Sequence, residues 1–114
     1  MKILFLDDQE HRHRTFAKRY PQDEIFPVYT ADSAINQLKE NSPFDLVFLD
    51  HDLGGFYMPS DKVSGFEVAR HIAEMEESLH PKKVIVHSWN ESAAMRMVEV
   101  LNDAGLSVSY EPFS

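Results

Sequence analysis

The chain reads as an α/β protein, a doubly wound parallel five-stranded sheet in the order 2-1-3-4-5 whose last helix is missing. Three observations carry this expectation. Short apolar runs rich in β-branched and aromatic residues alternate with stretches of helical period, giving β-α-β-α-β-α-β-α-β. Two of those runs, Ile3-Leu4-Phe5-Leu6 and Leu46-Val47-Phe48-Leu49, end abruptly in acids, Asp7-Asp8 and Asp50-His51-Asp52. The chain then stops four residues after the fifth run, at Ser114. In the order 2-1-3-4-5 the first and third strands are neighbours at the reversal of winding, so both acidic ends open into one crevice.

Each element has its own signals. Residues 2–7 form a first buried strand, and Asp8 is positioned to cap the helix that follows. On that helix His13, Phe16, Ala17 and Tyr20 fall three and four apart and make the inward stripe, leaving Arg12, Arg14, Lys18 and Arg19 outward or sideways, until Pro21 stops it. Residues 25–29 form a weaker strand, and Pro27 places it at an edge. Thr30 caps a second helix buried through Ala31, Ala34, Ile35 and Leu38, and Asn41-Ser42-Pro43 turns the chain into a third strand over 44–49. An irregular stretch over 51–64 follows, with Gly54, Gly55, Pro59 and Asp61 opposing regular structure; loops of this length in small domains are commonly functional. Ser64 caps a third helix with Val68, Ile72, Met75 and Leu79 on one face. Lys83 to His87 make the fourth strand, Asn90 caps a fourth helix buried through Ala94, Met97, Val98, Leu101 and Ala104, Gly105 ends it, and 106–110 form the fifth strand. Without a fifth helix, the sheet face over strands one and five is under-covered, which points to a homodimer through that face or to a partly exposed surface.

Length and composition narrow the class. The 114 residues suit one domain with a single core. A net charge of -8 repels polyanions and argues against nonspecific nucleic-acid binding by the whole surface. There are no cysteines, which excludes disulfides and thiolate metal sites. The amino terminus is too short in apolar residues for a signal peptide and no stretch approaches a membrane span, so the expectation is a soluble cytoplasmic protein without membrane partners.

The strand ends carry the chemistry. Asp7-Asp8 after strand one, Asp50 after strand three, Ser88 after strand four and Pro112-Phe113 after strand five resemble the acidic pair, phosphoacceptor aspartate, Ser/Thr switch and Lys-Pro dipeptide of response-regulator receiver domains, a flavodoxin-like fold. That resemblance covers the chain except the last helix. It implies a Mg²⁺ site, with Asp8 and Asp50 as direct ligands, Asp7 acting through water and the backbone carbonyl of Asp52 completing the shell. Where receivers carry the lysine this chain has Glu111, which removes the cation that stabilises a phosphoaspartate and adds a carboxylate. His51 and the run His87-Ser88-Trp89-Asn90 also depart from receivers. Together with Leu6-Asp7-Asp8, His13-Arg14 and Leu49-Asp50-His51-Asp52-Leu53-Gly54-Gly55, they resemble the cyclic-phosphate-processing receiver-like family. The resemblance implies a receiver scaffold turned to hydrolysing or binding cyclic phosphates on RNA ends or nucleotides.

The same residues support that chemistry on their own terms. Cleaving a phosphodiester requires neutralised nonbridging oxygens, an activated water and an acid for the leaving alkoxide. Mg²⁺ or Mn²⁺ on Asp8 and Asp50 meets the first need, and His51 and His87 meet the others with Asp50 and Ser88 beside them, because imidazole titrates near neutrality. Arg12, His13, Trp89 and Asn90 are the candidates for holding the substrate, Arg12 by pairing with phosphate and Trp89 by stacking on a base. Blander roles stay open. His51 suits a loop histidine bound to a backbone carbonyl, His87 and His13 suit satisfied core histidines, Ser88 and Asn90 suit helix caps, and Trp89 suits a packing residue. Two other functions also stay open: a stand-alone receiver or pseudo-receiver that signals by binding a partner protein, and a nonenzymatic nucleotide sensor.

Overall fold

A computed structural model of the chain describes residues 1–53 and 64–114. The elements are β1 (Lys2–Leu6), α1 (Glu10–Arg19), β2 (Glu24–Val28), α2 (Ala31–Asn41), β3 (Leu46–Leu49), α3 (Gly65–Glu74), β4 (Lys83–Val86), α4 (Glu91–Asp103) and β5 (Val108–Tyr110), with a 3-10 turn at Glu77–Leu79. The sheet is parallel throughout in the order β2-β1-β3-β4-β5, as the alternation of elements predicts. Of the irregular stretch expected over 51–64, residues 54–63, with Gly54, Gly55, Pro59 and Asp61, lie outside the described residues. No described helix is long and apolar enough to cross a membrane.

The predicted caps hold in three helices. Thr30 accepts from Ser33 N–H at the start of α2, Ser64 from Phe66 N–H at α3, and Asn90 from Ala93 N–H at α4. At the far end of α4, Gly105 takes φ +87° while its N–H donates to Asn102 O and that of Leu106 to Leu101 O, a Schellman closure that needs a residue free to be left-handed. Helix α1 departs from expectation. Its N-cap is Gln9, not Asp8, and Asp7 Oδ1 takes the Gln9 N–H at 2.8 Å, so the preceding strand supplies the acceptor. Ala17 is exposed, and Leu79 falls out of the α3 stripe because Met75 already has extended backbone.

Strand alternation divides the interior in two. Leu4, Leu6, Val47, Leu49, Val84 and Val86 face α2, α3 and α4 and form the larger core. Ile3, Phe5, Leu46 and Phe48 face the other way, where Phe16 of α1 stacks on Phe5 at 4.1 Å. Strand β1 is therefore fully covered on that side, contrary to the gap expected there, whereas the residues of β5 are half-buried. The opening lies over β3 and β4 instead, beneath residues 111–114, where a cavity of about 150 Å³ is lined by Phe16, Phe48, Ile85 and Phe113 among others. The C-terminal segment folds back across it: Phe113 N–H donates to His87 O, Trp89 Nε1 donates to Phe113 O, and Arg19 donates to the Ser114 carbonyl.

Candidate active site at the carboxyl ends of the strands

The register that builds the sheet also aligns the site. Leu6 pairs with Leu49, Leu49 with Val86 and Val86 with Tyr110, so the next residues, Asp7, Asp50, His87 and Glu111, come out at one level. Each is tied to the neighbouring strand: Asp7 N–H to Val28 O, Asp50 N–H to Leu6 O, His87 N–H to Leu49 O and Glu111 N–H to Val86 O, all at 2.9 to 3.2 Å. Asp7 is in phase with Ile3 and Phe5, Asp50 with Leu46 and Phe48, and His87 with Ile85, so all three side chains belong to the α1 side. There one ligand atom from each lies within 4.8 Å of the others.

The three groups are buried, with Asp7 0%, Asp50 4% and His87 1% exposed. His87 Nε2 lies 2.9 Å from Asp7 Oδ2, and its ring stacks on Phe5 at 5.0 Å. Burial lowers the tendency of His87 to charge below that of a free histidine, against the pull of Asp7. For Asp7, burial pushes the carboxyl up, but the hydrogen bonds from His87 and Gln9 and the charge of Arg12 outweigh it and hold the group below the usual carboxylate range. The pair is thus a neutral imidazole whose Nε2–H donates to an ionised Asp7. His87 Nδ1 is then an acceptor and finds no partner among the described residues.

Asp50 is in the opposite condition. Burial, then the neighbouring charge of Asp7, push it up to about 7, against the His51 N–H donated to Oδ1 at 2.9 Å and the charge of Arg12. Arg12, in the first turn of α1, reaches both acids, with Nη1 3.2 Å from Asp7 Oδ2 and 3.9 Å from Asp50 Oδ2. A buried carboxylate this poorly compensated, beside a second one, fits a hard divalent cation.

The other predicted residues occupy different places. Asp8 is half-buried, one residue out of phase with Asp7 and outside the three-residue cluster, where its Oδ2 is 3.4 Å from Gln9 Nε2. His51 is likewise out of phase with Asp50 and belongs to a separate group: its Nδ1 is 2.7 Å from Asp52 Oδ1, and both Asp52 oxygens accept from Asn90 Nδ2 at 3.3 Å. His51 and His87 are therefore not brought into one cluster. His13 donates from Nε2 to the carbonyl of Asp7 at 2.8 Å and stacks on Tyr29 at 4.0 Å, which fixes the Asp7 backbone. Ser88 is 1% exposed, its Oγ accepting from Asn90 N–H and its carbonyl from Tyr110 O–H. Trp89 is 64% exposed beyond its bond to Phe113. Glu111 accepts from Ser109 Oγ at 2.7 Å on the exposed side.

One residue of the site escapes sequence reasoning. Gly65, the first residue of α3, lies so close to the strand end that a β-carbon there would sit 1.6 Å from Asp50 O. Its N–H donates to His51 O at 3.0 Å, so the helix clamps the two residues that matter most. The visible signal was a glycine directly after a capping serine, a position any residue tolerates in a free helix. Phe113, which the sequence offers with Pro112 in the place of the Lys-Pro dipeptide, lies under the guanidiniums of Arg19 and Arg12, at 4.8 and 5.7 Å, and beside His87.

A model of the family described as cyclic-phosphate processing receiver domain matches residues 2–103. The chain belongs to this family. No curated protein matches it. Among solved structures, the response regulator TrrA of Thermotoga maritima in complex with Mg²⁺ and BeF is similar at 21% identity and a TM-score of 0.72, covering 100% of this chain and 88% of that one. The Francisella response regulator 1452 receiver domain is similar at 16% identity and a TM-score of 0.68, covering 99% and 85%. A Burkholderia pseudomallei response regulator with a phosphorylated aspartate, calcium ion and citrate is similar at 15% identity and a TM-score of 0.67, covering 96% and 58%. At these identities the likeness establishes the receiver fold.

Proposed function

We propose that this receiver-like domain binds a divalent cation, Mg²⁺ or Mn²⁺, at Asp7 and Asp50 and uses it to hydrolyse cyclic phosphates on nucleotides or RNA ends. The observation that carries the reading is the buried cluster of Asp7, Asp50 and His87 with Arg12 across its two carboxylates. A receiver acting only as a phosphoacceptor has no use for an imidazole bonded to its first acid, and Glu111 deprives it of the lysine that would hold a phosphoryl group. When bound, the ion supplies charge neutralisation for the phosphate oxygens and acidifies a water.

The chain's own residues then have distinct tasks. Asp50 binds through Oδ2, the oxygen that faces Arg12, and its ionised form is favoured as soon as a cation is present. Asp7 is held ionised and oriented by Gln9 N–H and by His87, the kind of outer support that fixes a ligating carboxylate. His87 keeps its Nε2–H on Asp7, which leaves Nδ1, unpartnered among the described residues, as the candidate for accepting a proton from the attacking water. Arg12 presents its remaining donors to a nonbridging oxygen. His51, oriented by Asp52, is the candidate for a second proton transfer from the other side of the strand end.

The test is turnover of 2′,3′-cyclic nucleotides and of RNA bearing a terminal cyclic phosphate, with Mg²⁺ or Mn²⁺, for the wild-type protein and Asp50→Asn. Turnover that disappears in Asp50→Asn supports the reading; none in either protein rejects it. Stable labelling of Asp50 by acetyl phosphate would favour a signalling receiver instead.

A further inference from the structure

Arg12 is spent, in this structure, on the two carboxylates that the proposed cation would occupy. Its Nη1 is 3.2 Å from Asp7 Oδ2, the oxygen that also accepts from His87, and 3.9 Å from Asp50 Oδ2. Asp7 Oδ1 is already committed to Gln9 N–H and Asp50 Oδ1 to His51 N–H. The oxygens left to receive a cation are therefore those facing Arg12. The residue at the end of β5 is an acid, Glu111, bonded to Ser109 Oγ, and the guanidinium beside Asp7 and Asp50 comes from Arg12 of α1.

We propose that Arg12 is a specificity-determining residue that makes the centre select a divalent ion arriving together with a phosphate group over the bare ion. It deepens the function proposed above, since it concerns the same centre, but it depends only on cation binding and not on hydrolysis. A bare ion must separate Arg12 from Asp7 and Asp50, losing a charge-assisted contact in a nearly dry site. The displaced guanidinium then gives up both carboxylate partners that it has in this structure. A phosphate bound beside the ion restores one, because the planar donors that fitted a carboxylate also fit two phosphate oxygens. The side chain is 23% exposed, so it has room to turn outward, and the Phe113 ring 5.7 Å away gives it a surface to lie on. Cation and phosphate thus raise each other's affinity through one side chain.

Calorimetric titration of the full chain with Mn²⁺, with and without inorganic phosphate, tests this. For wild type, phosphate raises Mn²⁺ affinity by about tenfold; in Arg12→Gln, Mn²⁺ alone binds about tenfold more tightly than in wild type and phosphate adds little. Equal or weaker Mn²⁺ binding by Arg12→Gln, or no Mn²⁺ binding by either protein, overturns the proposal. If the variant does not fold, the wild-type protein answers by NMR: saturation with Mg²⁺ shifts the Arg12 Nε–H resonance, and phosphate shifts it again. An Arg12 resonance indifferent to Mg²⁺ overturns the proposal. Failure of cyclic-phosphate hydrolysis leaves both readouts intact, so the two ideas fall separately.

Discussion

The α-carbon of Gly65 touches the carbonyl of Asp50 so closely that a β-carbon would stand 1.6 Å from that oxygen. Both atoms belong to backbone, one in the first turn of α3 and the other at the end of β3, so neither can turn aside as a side chain would. Gly65→Ala forces the helix away from the strand end and breaks the Gly65 N–H bond to His51 O. The expected loss is about 3 kcal/mol, at the upper end of overpacking penalties, read from urea denaturation. If Asp50 holds the proposed cation, Mn²⁺ affinity falls with it, because Asp50 is the residue displaced.

Asp50 makes the protein lose stability with rising pH in a predictable window. Its carboxyl is raised from 3.8 to about 7, so ionising it costs more in the fold than in the unfolded chain. Stability from this group is complete below the unfolded value, declines as pH rises through the interval between 3.8 and about 7, and stays low above it. His87, shifted down from 6.5, works the other way below 6.5, so the two contributions overlap. Thermal melts of wild type and Asp50→Asn from pH 4 to 8 separate them: the variant gains on wild type as pH rises, by up to about 4 kcal/mol. Saturating Mg²⁺ abolishes the difference in slope, since it favours the ionised form.

Much of this arrangement was legible in the sequence, and what was not has a physical reason. The apolar runs announce a parallel sheet, and acids directly after two of them announce a crevice, because register in a parallel sheet aligns strand ends. The same two-residue period also separates Asp7, Asp50 and His87 from Asp8 and His51. That signal is present in Ile3-Phe5-Asp7, Phe48-Asp50 and Ile85-His87, but contiguous motifs such as Asp7-Asp8 and Asp50-His51-Asp52 mask it. Gly65 was not legible, since its requirement comes from a helix approaching backbone 15 residues earlier. Arg12 looks free for substrate in the sequence, because a sequence does not reveal which acids a flexible guanidinium already serves.

The His87 to Asp7 bond predicts an acid-side defect. Asp7 is held below the usual carboxylate range in the fold, so its stabilising contribution is present above the unfolded value of 3.8 and is lost as pH falls through the lower folded value. His87→Ala removes the donor and leaves space beside Phe5. Stability at neutral pH falls by about 2 to 3 kcal/mol, the range for a hydrogen bond to a buried charge. The acid-unfolding midpoint moves to higher pH. An unchanged midpoint would show that His87 does not hold Asp7 ionised.

Asn90 has two jobs that substitution can separate. Its Oδ1 caps α4 by accepting from Ala93 N–H at 3.3 Å, while its Nδ2 donates to both oxygens of Asp52, the residue bonded to His51 Nδ1. Serine caps a helix about as well as asparagine, so Asn90→Ser keeps stability within about 0.5 kcal/mol, whereas Asn90→Ala loses about 1 kcal/mol. Serine cannot reach Asp52 with an amide. If the Asn90 contact orients His51 through Asp52, both variants broaden the His51 ring ¹⁵N signals into mixed tautomers and slow cyclic-phosphate turnover to a similar degree. If Asn90 only caps the helix, Asn90→Ser matches wild type in both measurements and the slowing in Asn90→Ala follows its stability alone.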